Sequence, residues 1–172
     1  MKKVLSMVLA VAMMVSVFAL CGSSAFAADE AIKIGGIGPV TGPAAIYGKA
    51  VETAMKIAVD EVNALGGVQF ELNFQDDAHD AETSVNAYGN LMDWGMQVLI
   101  GTVTSTPCAA VAAEAAADHV FVLTPSASSP TVTEGKTNVF QMCFSDPNQG
   151  VASADYIAAN GLSEAIAVIY NN

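Results

Sequence analysis

The sequence predicts an α/β fold in which a doubly wound parallel sheet carries helices on both faces. Four short apolar segments alternate with three helical segments within about 95 residues, which is typical of parallel strands joined by crossover helices. With 172 residues, 53% hydrophobic and 13% charged, the chain is long enough to bury a core and too apolar for disorder. Polar, glycine-containing loops follow the apolar segments, which places any ligand site among those loops.

Residues 1–27 are expected to be a secretory signal peptide rather than part of the fold. A basic start precedes an apolar run over 4–20, and small residues then end at Ala27. Two alternatives stay open. The run lies near the lower length limit for an uncleaved membrane anchor. Cys21 suits a lipid anchor, although the leucine before it is larger than the residue that lipoprotein signals prefer. We expect cleavage before Ala28 and an exported protein, periplasmic or at the cell surface.

The charge of the mature chain excludes some partners. Two of the six basic residues lie in the signal peptide and all 17 acids lie outside it, so the mature charge is 4 − 17 = −13. Such a chain is repelled by nucleic acid and by anionic lipid surfaces. Two cysteines remain, Cys108 and Cys143. In an oxidising compartment they are compatible with a disulfide or with two free buried thiols.

The first half of the fold follows from periodicity and from helix-stop signals. Residues 32–38 are an apolar strand that ends in a glycine-rich turn. Residues 44–65 carry apolar side chains at helical spacing on one face and charged ones on the other, and Gly66-Gly67 supplies the stop. Residues 68–75 alternate as a second strand. Asp80 is placed to cap the next helix, whose apolar face holds Val85, Tyr88 and Met92.

The pattern continues once more and then changes. Residues 97–101 are a short strand, Pro107 fits the first turn of a helix that runs to Asp118, and residues 120–123 are the fourth strand. After the polar loop 124–130, the expected elements are a strand over 138–144, a helix over 148–160 and a strand over 165–170. A parallel strand without its covering helix is a poor edge. The sequence therefore looks like the N-terminal part of a longer protein.

Three loops offer hydroxyl and amide groups at the edge where the strands end. They span residues 38–48, 101–107 and 124–128, and they contain no cluster of acids, bases or metal ligands. This composition favours binding over catalysis. Amides at a helix start suit a carboxylate, and Ser105 adds a hydroxyl there. The alternative is that Ser105 or Thr106 only caps the helix.

Other patterns give weaker indications. Glycines over 36–42 resemble a dinucleotide-binding loop, but Pro39 removes an amide that a pyrophosphate would need. The cluster at Asp76, Asp77, His79 and Asp80 is typical of a solvated turn and a helix cap. Neither histidine is expected in a loop at the carboxyl edge, so no catalytic triad is predicted. We expect no enzyme, no metal and no cofactor.

An ordered series of motifs resembles one known family. The series comprises residues 34–43 (IGGIGPVTGP), Tyr47-Gly48, 63–67 (NALGG), Asp76-Asp77, 100–105 (IGTVTS), 123–128 (LTPSAS) and 144–150 (FSDPNQG). It resembles the leucine/isoleucine/valine-binding proteins of bacterial ABC importers, which have the type I periplasmic binding fold. The resemblance implies two lobes that close on an amino acid, branched-chain or similar, and a permease as partner. A ligand-sensing domain on the same fold is the alternative.

The resemblance also implies domain bounds and site residues. The ligand-binding lobe would span 28–144, and 145–172 would hold the hinge crossing and the start of a truncated second lobe. Ser105 and Ser128 would bind the ligand carboxylate, and the 126–128 segment would accept from its ammonium. The predicted site residues are Tyr47, Val103, Thr104, Ser105, Ser126, Ala127 and Ser128. Some members of the family join the positions of His79 and Thr104 by a disulfide, which this sequence cannot form.

Overall fold

The computed structural model describes residues 30–162 and 164–169. The expected signal peptide, the anchor residue Cys21 and the expected mature start Ala28 lie outside the described residues. The chain divides into two compact units, Met1–Ala31 and Ile32–Asn172. Only residues 30 and 31 of the first unit are described, so the structure below is that of the second unit.

The second unit contains a five-stranded parallel sheet and four α-helices among its described residues. The strands are β1 (Ile32–Gly38), β2 (Phe70–Asp76), β3 (Val98–Gly101), β4 (Phe121–Thr124) and β5 (Val139–Gln141). The helices are α1 (Ala45–Ala64), α2 (Ala81–Trp94), α3 (Ser105–Ala117) and α4 (Asp146–Asn160), with a 3₁₀ turn at Pro130–Val132. The predicted α/β class is confirmed, and the first four strands and three helices lie within about two residues of their expected bounds.

The sheet is wound in both directions from β1. Its strand order is β2-β1-β3-β4-β5, so the chain moves to one side of β1 and then returns to continue on the other side. Adjacent residues of β1 show that helices lie on opposite faces. A side chain at Gly35 would meet Leu91 and Met96 on the α2 side, whereas one at Gly36 would meet Met55 of α1. This doubly wound arrangement puts the switch in winding direction between β1 and β3.

The core lies between the sheet and the α2–α3 pair. Leu99, Val122 and Val139 occupy matching positions on β3, β4 and β5, and all three are buried. The opposite face of β4 and β5 is exposed. There the rings of Phe121 and Phe140 stack with centroids 5.2 Å apart and remain 42% and 47% exposed. The described residues therefore cover β4 and β5 on one face only.

Several local expectations have clear outcomes. Asp80 caps α2 as predicted, with its Oδ1 accepting from the Thr83 amide at 2.8 Å. On α1, Glu52 and Lys56 form an ion pair at 2.6 Å. The strand expected over 138–144 is shorter: the Met142 amide still donates to the Thr124 carbonyl at 3.0 Å, but the strand ends at Gln141 and α4 begins at Asp146.

The strand expected over 165–170 is not formed by its described residues. Residues 166–169 are irregular, and Ile166, Val168 and Ile169 are largely exposed. Tyr170 lies outside the described residues. A β-strand needs a neighbouring strand for its backbone groups, and residues 166–169 are not part of the sheet. Helix α4 likewise has no buried residue. No helix in the described ranges is long and apolar enough to cross a membrane.

Candidate functional site

The strand order brings two loops together beside the switch in winding direction. Strand β1 pairs with β2 on one side and with β3 on the other, and all three end at the same edge of the sheet. The loops after β1 and β3 therefore diverge around a shared crevice, which is where open α/β sheets place ligands. The loop after β4 lies next to them. The three loops singled out from the sequence are thus neighbours in the fold.

Asp76, the last residue of β2, holds the loop after β1 in place. Its Oδ1 accepts from the amides of Val40 at 2.8 Å, Thr41 at 3.3 Å and Ala78 at 2.9 Å. Its Oδ2 accepts from the Thr41 hydroxyl at 2.5 Å. Burial raises the pKa of this carboxyl, but the four hydrogen bonds outweigh burial and lower it below its ordinary value. The solvated turn expected at Asp76 therefore has a further role, which no local sequence pattern indicates.

Tyr47 is presented by the first turns of α1. A side chain at the next residue, Gly48, would come within 1.9 Å of the Pro39 carbonyl oxygen, so only glycine lets the helix approach the loop this closely. Gly48 is the one buried residue that α1 contributes. The Tyr47 side chain is 63% exposed. It is therefore free to contact a ligand at the rim of the crevice.

Ser105 joins the start of α3 to the loop after β4. Its Oγ accepts from the backbone amides of Ser128 at 3.1 Å and Ser129 at 3.3 Å. Thr104, rather than Ser105 or Thr106, occupies the N-cap position of α3, and its side chain makes no capping hydrogen bond. The alternative in which Ser105 or Thr106 serves only as a helix cap is therefore wrong.

The loop after β4 is fixed by its own side chains. The Ser126 hydroxyl donates to the Val103 carbonyl at 2.7 Å, and the Thr124 hydroxyl donates to the Thr102 carbonyl at 2.6 Å. Both bonds tie this loop to the segment that follows β3. Val103 itself is buried, whereas Ser126 is exposed. Two of the three loops are therefore held to each other by backbone acceptors and serine or threonine donors.

Ala127 lies in the interior of the loop after β4. Its side chain is fully buried, and its amide donates to the Thr124 hydroxyl oxygen at 3.0 Å. Its carbonyl accepts from Gln141 Nε2 at 2.5 Å and from the Cys143 thiol at 3.5 Å. Every polar group of Ala127 thus has a partner inside the protein. The structure thus gives Ala127 a role within the loop, and its contact with a ligand stays a prediction.

Ser128 keeps one group available. Its amide donates to Ser105, and its carbonyl accepts from the Asp146 amide at 2.9 Å, at the start of α4. Its hydroxyl has no partner among the described residues. Ser128 therefore links the loop to the start of α4 through its backbone, while its hydroxyl makes no hydrogen bond to the described residues.

The loop after β2 reaches the start of α3 through a histidine. His79 Nδ1 lies 2.9 Å from Thr104 Oγ1, and the two residues are 25 positions apart. The expectation that no histidine lies in a carboxyl-edge loop is wrong, because β2 ends at Asp76 and His79 follows within the same turn. The side-chain contact occupies the two positions that the family resemblance associates with a disulfide.

Asp77 is the unsatisfied group of this turn. The residue is fully buried, its Oδ1 accepts from the His79 amide at 2.9 Å, and its Oδ2 has no hydrogen-bond partner. Burial raises the pKa of the carboxyl, the His79 amide opposes that change, and the nearby Asp76 charge adds to it. No group of three or more metal-ligating side chains occurs within the described part of the chain.

Both described cysteines are free thiols, so the disulfide considered for them is not formed. Cys108 is buried in α3 beside the Thr102 and Thr124 hydroxyls, and burial raises the pKa of its thiol. The Cys143 thiol instead donates to the Ala127 carbonyl. The two sulfur atoms are directed to different partners.

Comparison with known proteins identifies the family. The model of a family described as periplasmic binding protein matches residues 31–172. The chain belongs to the periplasmic binding protein family. A Leu/Ile/Val-binding protein of Rhizobium johnstonii, BraC3, is 36% identical over 156 residues, which is 87% of this chain and 42% of that protein.

Solved structures of the same fold agree with this membership. A leucine-binding protein from Thermotoga maritima superposes with a TM-score of 0.69 at 32% identity, covering 75% of this chain and 37% of the other. A branched-chain amino acid transporter substrate-binding protein from Streptococcus pneumoniae, solved with isoleucine, gives 0.70 at 31% identity, with 75% and 38% covered. These relatives are solute-binding proteins rather than enzymes. The chain spans about two-fifths of their length.

Proposed function

We propose that this periplasmic binding protein chain forms one wall of an amino-acid site that serves an ABC importer. A branched-chain amino acid is the ligand that its relatives support, since those named above are described as binding leucine, isoleucine or valine. None of them favours the sensing alternative. Export of the protein is consistent with its family and with the basic residues and apolar run at its N-terminus. The partner that this function requires is the permease of the importer.

The hydrogen bonds of Ser105 carry the proposal. A serine hydroxyl has one donor and two acceptor lone pairs. Both lone pairs are occupied by the amides of Ser128 and Ser129. The capacity that remains is a single O–H donor, which requires an acceptor. A ligand carboxylate at the start of α3 meets that requirement and is further stabilised by the helix dipole.

The neighbouring groups complete this wall. In the proposed site, the Ser128 hydroxyl and the Ser126 carbonyl would accept from the ligand ammonium. Tyr47, Val103 and Thr104 would contact the remainder of the ligand, with Val103 reached only through its 2% of exposed surface. The charged partner of the ammonium would lie on the second lobe. In this arrangement residues 28–144 form the first lobe and 145–172 begin the crossing to the second.

Calorimetric titration of the mature full-length protein tests the proposal. We expect binding of leucine, isoleucine or valine. Leucinamide, which lacks the carboxylate, should bind at least about 10-fold more weakly, because a hydrogen bond to a charged group is worth roughly 1.5–3 kcal/mol. Equal affinity for leucine and leucinamide would contradict the carboxylate contact. Absence of binding to any amino acid would contradict the function itself.

A further inference from the structure

Helix α3 has a threonine at its N-cap position that does not cap. Thr104 has the extended backbone of an N-cap residue, with φ −112° and ψ 150°, yet its side chain bonds no amide of the first turn. Threonine at this position normally accepts from the amide two or three residues later. The Thr104 hydroxyl is therefore directed away from the first turn of α3.

The competing partner is His79. Its Nδ1 lies 2.9 Å from Thr104 Oγ1, and the histidine is held on the other side by its own amide, which donates to Asp77 Oδ1 at 2.9 Å. His79 has a φ of 63°, in the left-handed region that few non-glycine residues adopt. The imidazole is thus placed by the turn at the end of β2.

Only one backbone amide of the first turn of α3 could donate to a capping hydroxyl of Thr104. The second and third residues of α3 are Thr106 and Pro107, and proline has no N–H to donate. A capping Thr104 hydroxyl would therefore accept from the Thr106 amide. That amide, beside Ser105, is one of the groups that point out of the helix start towards an anion.

We infer that His79 is a positioning residue for ligand binding: it holds the Thr104 hydroxyl off the helix and so leaves the Thr106 amide free for the ligand carboxylate. The inference rests on the proposed function, because it presumes that a carboxylate binds at this helix start. The histidine need not touch the ligand. Its effect passes through Thr104 alone.

The test is a double-mutant cycle in the mature full-length protein, with His79→Ala, Thr104→Val and the double variant. In His79→Ala the Thr104 hydroxyl is released to cap α3 and competes for the Thr106 amide. Leucine affinity should then fall about fivefold, which corresponds to the stabilisation that one N-cap hydrogen bond provides. In the Thr104→Val background, which has no hydroxyl, the same His79 substitution should leave affinity within twofold of the single Thr104→Val variant.

The melting temperature of His79→Ala distinguishes a positioning role of His79 from a purely stabilising one. His79→Ala should melt no lower than His119→Ala in the ligand-free state, because it gains a cap. His119 is a matched control: it is also exposed and left-handed, with φ 59°, but it precedes β4 at the other edge of the sheet. A clear fall in the melting temperature, or an equal loss of affinity with and without the Thr104 hydroxyl, would overturn the inference.

Amide hydrogen exchange tests the contact without any ligand. Exchange of the Thr106 amide should slow in His79→Ala and stay unchanged in the double variant. If leucine does not bind the wild-type protein but this exchange pattern holds, the proposed function fails while the role of His79 at Thr104 stands. Unchanged Thr106 exchange in His79→Ala would reject the inference even if leucine binds.

Discussion

The Oγ atom of Ser105 accepts a hydrogen bond from the backbone amide of Ser128 at 3.1 Å, across 23 positions of the chain. This bond joins the start of α3 to the loop after β4, and a second one from Ser129 reinforces it. Ser105 braces the loop, and in the proposed site it would also donate to the ligand, so its loss should have two measurable effects.

Ser105→Ala in the full-length protein should weaken leucine binding about 10- to 100-fold, through the lost bond to a charged group. It should also lower the free energy of unfolding by about 1 kcal/mol, because two half-buried amides lose their acceptor. Calorimetric titration and denaturant unfolding measure the two effects. Thr53→Ala, on the exposed side of α1, serves as the control and should change neither. Full affinity in Ser105→Ala would exclude its binding role.

Asp76→Asn should destabilise the protein at neutral pH by about 1 kcal/mol, because the charged acceptor of the loop after β1 is lost. The folded pKa of Asp76 lies below its ordinary value of 3.8. Its stabilising contribution is therefore complete above that value and disappears as pH falls through the folded pKa. Unfolding measured from pH 7 to pH 3 should show the two proteins converging in acid. Asp60→Asn, an exposed change on α1, should show no such trend.

Asp77→Asn should have the opposite effect. Burial raises the pKa of this carboxyl above 3.8, so the folded state favours the protonated form, and wild-type stability falls as pH rises through the folded pKa. Removing the charge should raise the free energy of unfolding at pH 7 by about 1 kcal/mol, with the gain vanishing below about pH 4. A loss of stability at pH 7 would show that the carboxylate has a stabilising partner in the full protein.

The two free thiols should differ in reactivity. Iodoacetamide should label Cys143, which is half exposed, within the native protein. It should label Cys108 only after unfolding, because that thiol is buried and its pKa is raised. Peptide mapping by mass spectrometry checks both sites. Recovery of a peptide pair linked through these cysteines would contradict the structure.

The mature protein should begin at Ala28, since the small residues of the leader end at Ala27. The intact mass of protein exported by its native host measures the start directly. A species that begins at Cys21 and carries acyl chains would replace this prediction with a lipoprotein. A species that retains residues 1–27 would favour the membrane anchor.

Local sequence patterns were enough to predict the alternation of elements. The glycine stop after α1 and the cap at Asp80 act over a few residues, so they are readable without the fold. The final apolar segment misled the prediction, because residues 166–169 are as apolar as a buried strand but belong to no strand of the sheet. Apolar periodicity indicates what a segment can form, and pairing decides whether it does.

The sequence by itself determined the α/β class, the family and the three hydroxyl-rich loops that border the crevice. Only the tertiary structure decided what those hydroxyls do. It assigned Ser105 to the Ser128 amide, closed Ala127 into the interior and brought His79 to Thr104. These contacts join residues that are distant in the chain. They depend on the strand order and register that place one loop beside another, and no local pattern in the sequence encodes that placement.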